Sequence, residues 1–143
     1  MKESKIDIYS DGSCIGNPGP GGWAAIILAE GKTFDVSGNE EDTTNNRMEM
    51  KAIVEALNWV RTKSGVKEDD LNSLKINIFS DSNLIIQTIN QGWKRKANTD
   101  LWAEMDIKRA WLNITWNWVK GHADNKYNNM ADELAQQEAR KLT

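Results

Sequence analysis

The chain has 143 residues, 39% of them hydrophobic, which suits one globular domain over residues 1–143 burying about two-thirds of its unfolded surface. Eighteen basic and 21 acidic residues leave a formal net charge of -3, so overall charge argues neither for nor against a polyanionic partner, and its distribution has to decide. The single cysteine, Cys14, excludes an internal disulfide, and the lack of a signal-like or bilayer-length apolar run predicts a reducing cytoplasm. Repeats, linkers and low-complexity segments are absent.

The first element runs from Ile6 to Ser10 as a β-branched, aromatic strand and ends on Asp11, followed at once by Gly12 and Ser13. An ionised acid there loses hydration unless a partner replaces it. The segment 12–22 is rich in glycine and proline and reads as a loop whose main-chain N–H groups can approach an oxygen-rich ligand closely. It matches neither GxxxxGK[ST] nor GxGxxG, which excludes the phosphate-loop and dinucleotide classes. Residues 23–28 predict a second strand, Glu30 and Gly31 a turn, and residues 32–38 a third strand, together an antiparallel meander.

A helix is predicted from Thr44 or Asn45 as N-cap through Met50, Ile53, Leu57 and Val60 to about Lys63. Glu49 falls on its sheet-facing side, four residues before Ile53 and seven before Ala56. A polar loop over 67–73 leads to a strand from Ile76 to Phe79 that repeats the opening signature: aromatic, serine, acid (Asp81), small residue. If the two strands are parallel neighbours, roughly 4.8 Å apart, the aspartates repel by roughly 3 kcal/mol at an effective dielectric near 20. A cation is expected between them.

Asp81 or Ser82 caps a helix carrying Leu84, Ile85, Ile86 and Ile89 to about Gly92, and the exposed-looking stretch Trp93-Lys94-Arg95-Lys96 suits phosphates and a sugar or base face. A helix over 100–112, a strand over 115–119 and a closing helix over 128–142 complete the order βββαβααβα. That order implies an α/β fold with a five-stranded mixed sheet, part antiparallel meander and part parallel, and helices on both faces. Trp23, Trp59, Trp102, Trp111, Trp116 and Trp118 lie in periodic segments and are expected in the core.

Asp11, Glu49, Asp81 and Asp132, near the start of the last helix, form an all-oxygen donor set that suits magnesium and not zinc. Two such ions can activate a water and stabilise the departing oxygen in an in-line phosphodiester displacement. His122, the one histidine, follows Gly121 where it can assist proton transfer.

At these motifs the chain resembles type 1 ribonuclease H. The matching pieces are Ser10-Asp11-Gly12-Ser13-Cys14, Gly16-Asn17-Pro18-Gly19-Pro20-Gly21-Gly22, Thr43-Thr44-Asn45-Asn46-Arg47-Met48-Glu49, Ser80-Asp81-Ser82, Trp118-Val119-Lys120-Gly121-His122-Ala123 and Asp132-Glu133-Leu134-Ala135, in family order. The resemblance implies a ribonuclease H-like fold and a monomeric endoribonuclease that cuts the RNA strand of RNA/DNA hybrids, leaving 5′-phosphate and 3′-hydroxyl ends. It implies two Mg2+ ions, with Mn2+ able to substitute, held by Asp11, Glu49, Asp81 and Asp132, and His122 as a loop histidine aiding proton transfer or product departure. It further implies that Asn17, Asn45, Asn46 and Asn83 face the RNA minor groove, that Asn17 and Thr44 lie near a DNA phosphate, and that Asn128 lies beside the scissile phosphate. Gly12, Cys14 and the stretch Trp93, Lys94, Arg95 and Lys96 complete the substrate-binding set.

Two departures are expected to weaken substrate grip. Longer members of the family carry a basic helical protrusion where this chain has only residues 93–99, and Asp42 stands where an arginine is often found. No hybrid-binding domain is expected before residue 5. Two other readings compete: a hybrid-binding module without turnover, which the complete acid set disfavours, and another nuclease, integrase or resolvase on the same fold. The asparagine-rich segment 43–47, suited to sugar hydroxyls, favours RNA.

Overall fold

The computed structural model describes residues 5–120 and 125–143. Strands β1 (Lys5–Cys14), β2 (Gly19–Ala29) and β3 (Lys32–Thr43) form the meander, and helix α1 (Asn45–Lys63) follows. Then come a 3-10 helix (Glu68–Ser73), β4 (Lys75–Ser80), α2 (Asn83–Gln91), α3 (Thr99–Arg109), β5 (Asn113–Trp118) and α4 (Lys126–Arg140). The sheet order is β3-β2-β1-β4-β5, with β1 antiparallel to β2 and parallel to β4, and β4 parallel to β5. This is the expected mixed sheet.

Local chemistry explains the joints. Glu30 and Gly31 both take positive φ, 52° and 73°, between the paired residues Ala29 and Lys32, as a two-residue hairpin turn requires. Thr44 is the N-cap of α1, its Oγ1 accepting from the Arg47 N–H at 3.3 Å. The period-2 pattern of β1 sends Ile6 and Ile8 into the core cluster with Ile53, Leu57 and Val60 of α1, and with Ile76 and Ile78 in register on β4. On the other face, Tyr9 stacks on Phe79 with ring centroids 4.7 Å apart, and Tyr127 of α4 lies at 5.4 Å from Tyr9.

The structure corrects several expectations. Segment 12–22 is not one long loop: β1 runs to Cys14 and β2 begins at Gly19. Its glycines serve close packing, since a Cβ on Gly12 would collide with the backbone of Met48 and Glu49, and one on Gly22 with the backbone of Ala135 and Ala139. Gly12 and Gly22 thereby admit helices. β3 is longer than expected because it pairs with the extended β2 as far as Thr43, through a register shift between Gly19 and Gly21. The 67–73 loop is a 3-10 helix that buries Leu71. α3 stops at Arg109, and Trp111, at φ 66°, is 87% exposed, while Trp118 at the end of β5 is 49% exposed. Neither is a core residue.

α4 packs on β2 and β1 through Ala131, Ala135 and Ala139, all fully buried at i, i+4 and i+8. Small side chains on the helix and Gly22 on the strand let the two backbones approach. Gly22→Ala should therefore destabilise the protein by roughly 1–3 kcal/mol, as overpacking does. Chemical denaturation measures this, and an unchanged midpoint would contradict the close approach.

Candidate active site

Parallel pairing of β1 with β4 ends at Tyr9 and Phe79, and Asp11 and Asp81 each stand two residues further on. Two strands in register thus deliver two acids at one end of the sheet. Asp81 occupies the short connection between β4 and α2, where Ser82 caps α2 by accepting from the Ile85 N–H at 3.3 Å. Glu49, near the start of α1, reaches the same point because Gly12 lets α1 sit directly on β1. One carboxylate oxygen from each of Asp11, Glu49 and Asp81 lies within 4.8 Å of the others. Asp132 of α4 lies across a small cleft of about 40 Å³ shared with Ser10, Asp11, Asp81, Val119, Lys120, Asn128 and Asn129. Both of its oxygens accept from Gln136 Nε2 at 3.1 Å.

Crowding and burial set the electrostatics. Asp11 is buried and its pKa is pushed up to about 7, first by desolvation and further by Asp81 and Asp132, against the hydrogen bonds from Glu49 and the Gly12 N–H. Glu49 is pushed well above the usual carboxylate range, again first by burial and then by the charge of Asp11. Glu49 Oε2 is shut off from solvent without a hydrogen-bond partner among the described residues. An enclosed oxygen without a partner, in a set containing only carboxylates, fits a hard divalent cation.

The other residues named from the sequence fall at several places. His122 lies outside the described residues, as do its neighbours Gly121 and Ala123. Asn17 Oδ1 accepts from the Asn45 N–H at 3.0 Å, tying the β1–β2 loop to the start of α1. Cys14 Sγ lies 3.0 Å from Gly16 O, 3.4 Å from Gly19 O and 3.3 Å from Thr43 O, so its thiol is engaged by that loop and by the end of β3. Asn83 is exposed as the first residue of α2, and Asn128 lines the acidic cleft. Asp42 is exposed near the end of β3.

Trp93, Lys94, Arg95 and Lys96 line a wider groove of about 480 Å³ with Asn46, Met50 and Trp102. Within it, Arg95 is not a free cation: it holds Asp106 by two hydrogen bonds at 2.6 and 3.0 Å and lies 4.6 Å over the Trp102 ring. Arg47 likewise clamps Asp100 at 2.7 and 3.0 Å and also reaches Asn98 at 3.2 Å. Sequence reasoning did not single out Lys120 or Asn129 as site residues. Lys120 directly precedes the Gly121-His122 pair, which was the available signal, whereas Asn129 has none beyond its place beside Asn128.

A raised folded-state pKa means that the proton on Asp11 stabilises the fold fully below the ordinary value of 3.8, and that this contribution is lost as pH rises through about 7. Without metal, Asp11→Asn should thus be more stable than the parent at pH 8, by roughly 1–3 kcal/mol. The gap should close toward pH 4. Paired thermal melts in chelator across pH 4–8 check this, and a gap that widens at low pH would contradict it.

Comparison with known proteins agrees with this geometry. The RNase H family model matches residues 3–140. A Ribonuclease H of Ehrlichia canis (strain Jake) is 43% identical over 145 residues, covering 96% of this chain and 97% of the relative. One of Thermoanaerobacter sp. (strain X514) is 40% identical over 152 residues, covering 96% and 92%. Among solved structures, LC11-RNase H1 in complex with RNA/DNA hybrid superimposes with a TM-score of 0.79 at 27% identity, covering 95% of this chain and 97% of that one. LC9-RNase H1, a type 1 RNase H with the type 2 active-site motif, gives 0.80 at 29% identity, covering 100% and 75%. With a family match from residue 3 to residue 140 and an acid cluster where β1 and β4 end, the chain belongs to the RNase H family.

Proposed function

We propose that this chain is a ribonuclease H that hydrolyses the RNA strand of RNA/DNA hybrids by a two-metal-ion mechanism, leaving 5′-phosphate and 3′-hydroxyl ends. The observation that carries this reading is the cluster of buried Asp11 and Glu49 with exposed Asp81, whose mutual repulsion and whose Glu49 oxygen, partnerless among the described residues, call for a divalent cation. Asp11, Glu49, Asp81 and Asp132 would hold Mg2+, or Mn2+ in its place. Such ions, when bound, activate water and stabilise the departing oxygen of a phosphodiester.

The protein groups do the rest. Lys120 and Asn128, lining the same cleft, orient the scissile phosphate, and His122 takes or delivers a proton at the reacting oxygens. The bond between Asn17 and the Asn45 N–H leaves the Asn17 Nδ2 donors and the Asn45 side chain to meet ribose hydroxyls, alongside Asn46 and Asn83. Thr44 Oγ1 accepts the capping bond yet keeps its own proton for a DNA phosphate. Lys94 and Lys96 supply mobile charge for phosphates, while Arg95 holds the segment in shape. The main chain of Gly12 and Cys14 and the half-exposed ring of Trp93 complete the surface. The chain would act as one catalytic domain and as a monomer, and a cytoplasmic location is consistent with its free cysteine. Among the described residues no helix is long and apolar enough to cross a membrane.

A gel assay with Mg2+ and end-labelled RNA/DNA hybrid, double-stranded DNA and double-stranded RNA tests the reading. Only the RNA strand of the hybrid should be cut, and Asp11→Asn should lose nearly all turnover while still binding the hybrid. Each neutral hydrogen bond contributes about 0.5–1.5 kcal/mol net, so the asparagines discriminate as a sum. A DNA duplex with one embedded ribose should resist, whereas a run of about four should be cut, each contact being modest alone. Efficient cutting beside a lone ribose would contradict the role given to the asparagines.

A further inference from the structure

Asp81 is the exposed member of the acid cluster, and it belongs to neither β4 nor α2. A ligand on so short a connection is useful only if its backbone is fixed, because metal sites tolerate little displacement of a donor. Besides the capping bond of Ser82, hydrogen bonds from both flanking segments hold that connection. The Ser82 N–H donates to Ser80 Oγ at 3.1 Å, and the Val119 N–H donates to Ser80 O at 2.9 Å. The Trp118 Nε1–H donates to Asp81 O itself at 3.2 Å. The last two come from the end of β5, where Trp118 pairs with Ser80 in the parallel register.

Trp118 is not explained by burial. It is 49% exposed, so much of its ring gains nothing from the core, while its single polar atom meets the main-chain carbonyl of the one cluster acid that lies outside regular structure. Fixing that carbonyl restrains rotation of the peptide that follows Asp81 and with it the direction of the Asp81 side chain. We propose that Trp118 is a positioning residue for metal binding: its indole N–H locks the Asp81 turn, acting through Asp81 and not through substrate. The proposal rests on the reading of Asp81 as a metal ligand. Trp118 also stands just before Val119 and Lys120 of the cleft, so the end of β5 that fixes Asp81 leads directly into the segment carrying His122.

Trp118→Phe keeps a planar ring and removes only the donor. Calorimetric titration with Mg2+ alone, without nucleic acid, should show affinity weakened roughly three- to tenfold, the scale of one neutral hydrogen bond. Asp81→Asn should weaken it as well, and adding Trp118→Phe to Asp81→Asn should change little further, because both act on one group. With hybrid substrate, Trp118→Phe should raise the Mg2+ concentration needed for half-maximal rate and leave KM for the hybrid unchanged. In the unsubstituted protein, the Trp118 indole N–H resonance should shift along the same Mg2+ titration, a readout that does not depend on any variant folding well.

Parent-like Mg2+ affinity in Trp118→Phe beside a weakened Asp81→Asn would overturn the inference alone. Equal weakening by Trp118→Phe in both backgrounds would overturn it too, since the effect would not pass through Asp81. An indole resonance unmoved by saturating Mg2+ would do the same. Unchanged affinity in Asp81→Asn would instead remove the reading of Asp81 as a ligand, and the inference with it.

Discussion

Repulsion among carboxylates at one end of the sheet is the constraint around which the chain is arranged. Asp11 and Glu49 are enclosed together, with Asp81 at the mouth, and no cation from the protein is paired with Asp11 or Glu49 among the described residues. An arrangement of this kind works against folding of the metal-free chain, because desolvated like charges have to be neutralised by protons or by an added ion. The fold holds it through backbone contact elsewhere. Register between β1 and β4 fixes Asp11 against Asp81, Gly12 admits α1 with Glu49, and Gly22 with the alanines of α4 admits the helix that carries Asp132.

Away from the acids, charge pairs do the shaping. The short segment between α2 and α3 has no secondary structure of its own over most of its length, yet Arg47 grips Asp100 and Asn98 at its end and Arg95 grips Asp106 from within it. Arg47 pulls the Asp100 carboxyl down to about 2, and Arg95 with Arg109 holds Asp106 below the usual range. Exposed pairs contribute little individually to stability. Their value here is geometric, since two planar bidentate contacts hold the groove lined by Trp93, Lys94 and Lys96 beside the start of α1.

Much of this was legible in the residues. Strand-then-acid signatures at Asp11 and Asp81 pointed to the acid cluster because a charged residue ending a β-branched run is chemically anomalous, and helical periodicity put Glu49 on the sheet side. The order of elements followed from turn and cap chemistry, with Glu30-Gly31 and Thr44 where their residue types require them. What stayed hidden was long-range. The close approach that Gly12 and Gly22 allow does not show until the helices that touch them are known. Arg95 looks like a free cation because Asp106, its partner, is eleven residues away on another element. Trp111 and Trp118 fit a periodic core pattern but sit at element ends, where they stay exposed.

The central claim is that the cluster exists for a divalent cation and is kept partly protonated until one binds. Calorimetric titration of the protein with Mg2+ at pH 6.5, repeated in two buffers of different ionisation enthalpy, measures the protons released. With Asp11 raised to about 7 and Glu49 also raised well above the usual carboxylate range, binding should displace protons, because a carboxylate must be ionised to bind metal. Binding heats that are the same in both buffers, meaning no proton leaves, would contradict the account.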